Sequence, residues 1–153
     1  MKIAGIDPKT LPPEDILVLP RSGGNITFTA RGLPDMDEFN KLCPEPTPPT
    51  INMATGPQPD LKDAGYTSQV AEHTKRRWAY ITVKSLEPSA IEWDTVVLDQ
   101  PGTWVNWEND LKANGFTAVE CNRVFGLILS ANSLDERKIQ KARELFLAGQ
   151  PQE

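Results

Sequence analysis

Histidine, cysteine and positive charge are all scarce in this sequence. One histidine (His73) and two cysteines (Cys43 and Cys121) occur in 153 residues. That is too few ligands for a four-ligand zinc site and too few thiols for a disulfide scaffold. Sixteen Lys and Arg against 21 Asp and Glu leave a net charge of -5. Nucleic acid is therefore not an expected partner, because neutralising phosphates needs a basic surface. No apolar run approaches the roughly 20 residues of a membrane span, so no membrane partner is expected. The opening, MKIAGIDPKTLPPED, carries Pro and Asp where a secretory signal needs an apolar core, and a cytosolic protein is expected. Phosphate-loop and EF-hand patterns are missing as well: Gly23-Gly24 stand between two strand-like runs, not between a strand and a helix, and no DxDxDG run occurs.

What the sequence does have is an uneven distribution of proline. Residues 1–59 hold eleven of the fourteen prolines. Proline lacks a backbone donor and locks φ, so this part must be extended or looped, with short strands at most. The apolar run Ile16-Leu17-Val18-Leu19 and the alternating Ile26-Thr27-Phe28-Thr29-Ala30 read as two strands. Arg21-Ser22-Gly23-Gly24-Asn25 between them has hairpin length. Two strands alone are marginal in water, so the hairpin needs the helical half or a partner to lean on. Asp35, with Glu38 three residues on and Met36, Phe39 and Leu42 at helical spacing, predicts a short amphipathic helix. Residues 43–64 then hold six prolines and few large apolar groups, which predicts an extended, polyproline-like arm.

The second half is helical. Residues 66–86 lack Gly and Pro and predict one long helix, with Tyr66, Val70, Trp78, Ile81 and Leu86 as its apolar side and Pro88 as its stop. Trp93 marks a short connector. A helix over 104–114 is expected from a cap at Thr103 to Gly115, with Trp104, Trp107 and Leu111 in one stripe. Thr117-Ala118-Val119-Glu120 is a capping box opening another helix, with Val119, Val124, Leu127, Ile128 and Ala131 as its apolar face. Ser133-Leu134-Asp135-Glu136 is a second box. It opens a last helix that ends at Gly149, with Leu134, Ile139, Ala142, Leu145 and Phe146 expected to carry its core. The expected fold is α+β, mainly α: an N-terminal extended region with a β-hairpin and Pro-rich arm over residues 1–65, and a small helical bundle over 66–153.

None of the chemistry-bearing residues falls into a catalytic pattern. A nucleophilic Cys121 needs a base, and the single histidine lies in a different helix, so a helix-packed thiol is expected. Cys43 beside Pro44 reads as a turn residue, and His73 as a solvated helix residue. Lys75-Arg76-Arg77 is the one basic run, and Glu72 can pair with Arg76 at i+4. No catalytic residue, cofactor site or metal site is expected. Of the four tryptophans, Trp78 and Trp93 read as core. Trp104 and Trp107, beside Pro101-Gly102, offer an exposed anchor for a partner.

The order of these features resembles that of tail assembly chaperones of tailed bacteriophages. The residues that carry the resemblance are the strand and acidic helix start over 26–42, Trp78–Leu86, Ile91–Val96, Ala131–Glu136 and Ala142–Leu147. Together they span most of residues 16–148, as a pattern and not as a diagnostic motif. The Pro-rich segment over 43–59 is not a general feature of that group. The resemblance implies a non-enzymatic protein of virion tail assembly in the host cytoplasm. It would bind another tail protein, a tape-measure or tube subunit, through apolar helix faces, and it leaves self-association into a homo-oligomer open. The alternative is a resident virion structural protein: a neck, tail or capsid-decorating subunit. A third reading, a small enzyme using Cys121 or His73, would need a cavity joining the two. The partner-binding residues expected on the first reading are Phe39, Leu42, Lys75, Arg76, Arg77, Trp104 and Trp107.

Overall fold

The computed structural model describes residues 1–9, 14–133 and 136–149. Strands β1 (Asp15–Leu19) and β2 (Ile26–Ala30) form an antiparallel hairpin in which Leu17 stands opposite Phe28 and Leu19 opposite Ile26. Its turn places Gly24 at φ +132°, a conformation open to glycine and costly for other residues. The pleat sends Leu17, Leu19, Ile26, Phe28 and Ala30 inward, while Ile16 and Val18 face solvent. Helix α1 (Asp37–Leu42) follows, with the Asp35 Oδ1 accepting the Asp37 amide. Next come β3 (Thr50–Met53) and β4 (Gly56–Pro59), then the long α2 (Ala64–Ser85). A 3-10 turn over Glu87–Ser89 and a 3-10 segment over Pro101–Asn106 lead into α3 (Trp107–Ala113). The chain closes with α4 (Ala118–Asn132) and α5 (Glu136–Ala148). The fold is α+β and mainly α, as the residue patterns predict.

Several local expectations hold. The Thr117 hydroxyl accepts the Glu120 amide while the Glu120 carboxylate accepts the Thr117 amide, which completes the capping box. Gly115, at φ +93°, follows the end of α3. The capping box proposed at Ser133–Glu136 and the core role of Leu134 involve residues outside the described ones.

Four expectations are corrected. The segment over 43–64 is not one extended arm, because β3 and β4 pair into a second hairpin, Thr50 opposite Pro59 and Met53 opposite Gly56. Gly56 at φ +111° turns it, and prolines are tolerated because a two-stranded ribbon has two free edges. The helix expected over 104–114 is instead a 3-10 segment followed by α3. Pro101 starts that segment, and the Thr103 hydroxyl serves the preceding loop, accepting the Val97 amide at 2.9 Å. α5 does not pack its apolar face into the core: Ile139, Leu145, Phe146 and Leu147 are exposed, Phe146 at 66%. Val119 in the first turn of α4 is likewise exposed.

Two buried clusters hold the molecule together, and each mixes residues from both halves of the chain. One joins Leu19, Phe28 and Ala30 of the hairpin to Leu86, Leu111, Cys121, Val124 and Ile128. The other joins Phe39 and Cys43 to Ala79, Tyr80, Val83, Val96 and Trp104. Trp93 and Trp107 pack against both.

The free edge of β2 is closed by helix ends. The Thr29 amide donates to Ser89 Oγ at 2.8 Å, and that hydroxyl donates to the Thr29 carbonyl at 2.7 Å. The Arg31 amide reaches the Ser85 carbonyl at 2.9 Å. Asn132, the last residue of α4, donates from Nδ2 to Ser85 Oγ and accepts the Leu33 amide on Oδ1, both at 2.9 Å. Between these contacts lies Gly32. A Cβ built there would stand 2.5 Å from the Ala131 carbonyl oxygen, a backbone atom that cannot swing away. Gly32→Ala is therefore expected to lower unfolding free energy by about 1–3 kcal/mol, as overpacked sites do. Chemical denaturation read by circular dichroism checks this.

A buried carboxylate ties the connector after α2 to α3. Asp110, 6% exposed, accepts the Thr95 amide at 2.9 Å and the Thr95 hydroxyl at 2.6 Å. Burial pushes its pKa upward, but the hydrogen bonds from Thr95 and from the Val96 and Asp94 amides outweigh burial and hold it below the usual carboxylate value. A depressed folded-state pKa gives stability that is present above the unfolded-state value and is lost as pH falls through the folded one. Stability should therefore drop as pH falls below about 4, and Asp110→Asn should flatten that slope while costing about 1–3 kcal/mol at neutral pH. Thermal melts of both proteins at stepped pH measure it.

Candidate functional site: an aromatic surface with a basic edge

The buried side of α2 consists of Ala79, Tyr80, Thr82, Val83 and Ser85, with Leu86 just beyond. Mostly small or β-branched, these residues let the 3-10 segment and α4 approach closely. The first turns of α2, capped by the Asp63 carboxylate on the Tyr66 amide at 2.9 Å, extend past the core. Trp78 lies on the flank between the two regions. It is 43% exposed rather than buried, which corrects the core role expected for it.

Trp78 does not stand alone. It meets Phe125 of α4 edge-on at 5.9 Å between centroids, and Phe125 stacks on Trp107 at 6.5 Å and 17°. The three rings form a row across α2, α4 and the start of α3. On one side of Trp78 is a groove of about 370 Å³ lined by Lys75, Trp78, Val105, Trp107 and Phe125. On the other is a groove of about 440 Å³ lined by Pro46, Tyr66, Val70, His73, Arg77 and Trp78. Trp78 is the ridge between them. Lys75 edges the first groove and Arg77 the second, both exposed, while Arg76 stands 3.4 Å from Glu72, the expected i,i+4 pair.

The expected partner-binding residues thus separate into two groups. Lys75, Arg77 and Trp107 come together around Trp78, whereas Arg76 lines a different groove with Cys43, Pro46 and Glu72. Phe39 and Trp104 do not reach the surface. Phe39 is 1% exposed, and Trp104 is fully buried with Nε1 donating to the Leu98 carbonyl at 3.1 Å. Rings of Tyr80 and Phe39 pack on Trp104 at 5.0 and 6.0 Å. Leu42 is half-buried against the same cluster. Trp104 and Phe39 are therefore core rings and not the expected anchors, and the exposed tryptophan is Trp78. Phe125 escaped the sequence reading altogether. Its signal is its spacing: it lies four residues after the buried Cys121 and three before the buried Ile128, on the same side of α4.

His73 is also corrected from a solvated residue to a latch. Its Nε2 lies 3.1 Å from the Cys43 carbonyl, and its ring packs on Phe39 at 5.2 Å. Cys43 is buried in the same cluster, whereas Cys121 belongs to the other one. Burial, with the Glu108 carboxylate adding to it, raises the Cys121 thiol above its ordinary pKa, the opposite of what activates a nucleophile. The two grooves lined by His73 do not include Cys121.

No family model matches the chain, and no curated protein or solved structure does. Trp104→Ala should cost about 3–5 kcal/mol of stability. Trp78→Ala, at a half-open site, should cost no more than about 1 kcal/mol. Paired denaturant titrations compare them, and equal losses would place Trp78 in the core.

Proposed function

We propose that this is a non-enzymatic binding protein of virion tail assembly. It would hold another tail protein, a tape-measure or tube subunit, against the surface centred on Trp78. The observation that carries the binding reading is the exposed aromatic ridge between two grooves. An aromatic ring left open to water beside further rings is the composition of interface hot spots. Lys75 and Arg77 at its edges add a charged rim of the kind that orients an approaching partner. The apolar side of α5, with Ile139, Leu145 and Phe146 open to solvent, supplies a second oily helix face of the type an amphipathic partner helix covers. The assignment to tail assembly in the host cytoplasm comes from the resemblance described above. On this reading Cys121 and His73 have packing roles, Cys121 in one buried cluster and His73 against Phe39 of the other.

Co-expression with tape-measure and tube segments from the same genome tests the proposal. The wild-type chain should be captured by one of them, and Trp78→Ala should weaken capture about tenfold or more with its melting temperature nearly unchanged. Capture indifferent to Trp78 would overturn the assigned surface. Mass spectrometry of mature particles separates the two virion readings: an assembly factor is missing there, while a resident neck, tail or decorating subunit is abundant.

A further inference from the structure

A second concave site lies on the opposite chemistry, acidic where the Trp78 surface is basic. It is a cavity of about 240 Å³ between β2, the connector after α2, and α3. Three aromatic rings line it: Phe28, Trp93 and Phe116. Three carboxylates line it too: Glu92, Asp94 and Asp110. No Lys or Arg is among its lining residues. Phe28 and Phe116 pack edge-to-face at 5.6 Å, so the wall is firm. Glu92 and Asp94 are exposed at the mouth, and Asp110 is buried. The Asn114 side chain donates to Asp94 Oδ2 at 2.7 Å and holds that carboxylate in place.

We propose that this cavity binds an alkylguanidinium cation of the arginine type. Asp110 is already paired by Thr95, but a neutral apolar guest would cover the exposed Glu92 and Asp94 carboxylates without pairing their charge, which costs free energy. A cation with an apolar stem satisfies both halves of the wall: the stem lies on Phe28 and Leu111, and the charge meets aromatic faces and carboxylates at once. Guanidinium suits better than ammonium because it is flat, weakly hydrated, and forked to match a carboxylate. The volume is below the roughly 300 Å³ at which drug-sized pockets begin, so it suits one side chain. The chain already uses this chemistry next door. Arg21, which does not line the cavity, stands over the Phe116 ring at 4.8 Å and pairs with Glu120 at 2.6 Å. The site is remote from Trp78 in its lining residues and does not rest on the tail-assembly reading.

The test is a titration of the isotope-labelled full chain, followed by NMR at the Trp93 indole and the Asn114 side-chain amide. The probes are N-acetyl-arginine methylamide, butylguanidinium, and the neutral isostere N-acetyl-citrulline methylamide. Saturable shifts with the two cations, and binding about tenfold weaker for citrulline, support the site. So does a similar loss in the double variant Glu92→Gln, Asp94→Asn, which changes exposed groups and keeps an acceptor for Asn114. Tighter binding of the acetylated amino acid than of butylguanidinium assigns the cation to a polypeptide side chain. The reverse assigns it to a free small molecule. Equal shifts from citrulline, a failure to saturate, or affinity unchanged in the double variant overturns the proposal. Trp78→Ala, which leaves the cavity intact, should bind the probes like wild type, so failure here and failure of the tail-protein reading are told apart.

Discussion

On the side away from β1, the stretch from Thr29 to Leu33 has no strand beside it and must find its hydrogen bonds elsewhere. A two-stranded hairpin leaves each strand one open edge, and buried backbone groups without partners are costly. Here the partners are Ser85 and Ser89, at and just after the end of α2, and Asn132 at the end of α4. Those few contacts set the angle at which the hairpin lies on the helices. They also explain why Ser85, fully buried and polar, sits in an otherwise apolar region: its hydroxyl and its carbonyl both have partners. Gly32 is the steric condition for the same arrangement, since the chain passes against the carbonyl of Ala131.

Once the hairpin is seated, the two clusters follow. Phe28 and Ala30 cover Leu86 and Ile128, and the chain leaving β2 delivers α1 so that Phe39 meets Tyr80 and Trp104. His73 and the Cys43 carbonyl then fasten the exit of α1 to α2. The connector after α2 is held by Asp110, which brings Trp93 between the clusters. The same connector shapes the acidic aromatic cavity, so that cavity is a consequence of how the core closes. The Trp78 surface arises differently. It lies where the buried C-terminal part of α2 gives way to the exposed first turns, with Phe125 of α4 against Trp78.

Much of the fold was legible in local sequence. Proline density marked where helices could not form, the alternation over 26–30 marked a strand, and Thr117 with Glu120 marked a helix start. Each is a short-range effect of backbone geometry or of a single hydrogen bond, so neighbouring residues suffice to read it. The second hairpin is hard to read locally because Gly56–Pro59 carries two prolines and no large apolar residue, and the alternation of Thr50–Met53 is only four residues long. The pairing there is backbone-driven and leaves weak side-chain traces. Thr103 was misread because its hydroxyl serves a loop six residues back rather than a helix ahead.

Which large side chains face water was the part sequence could not decide. Trp78 and Trp104 look alike as residues, each on a helical stripe with apolar neighbours. Their fates differ because Tyr80 and Phe39 arrive over Trp104 from other elements and seal it, while the neighbours of Trp78, Phe125 among them, leave open grooves on its two sides. The same holds for α5, whose stripe of Ile139, Leu145 and Phe146 has the pattern of a core helix and is left exposed. By itself, then, the sequence determined the kinds of element, their order and the ends that capping and glycine mark, because these depend on interactions within a few residues. The tertiary structure alone decided which aromatic rings became core and which became surface. Burial depends on what distant segments bring to the same place, and no local pattern encodes that.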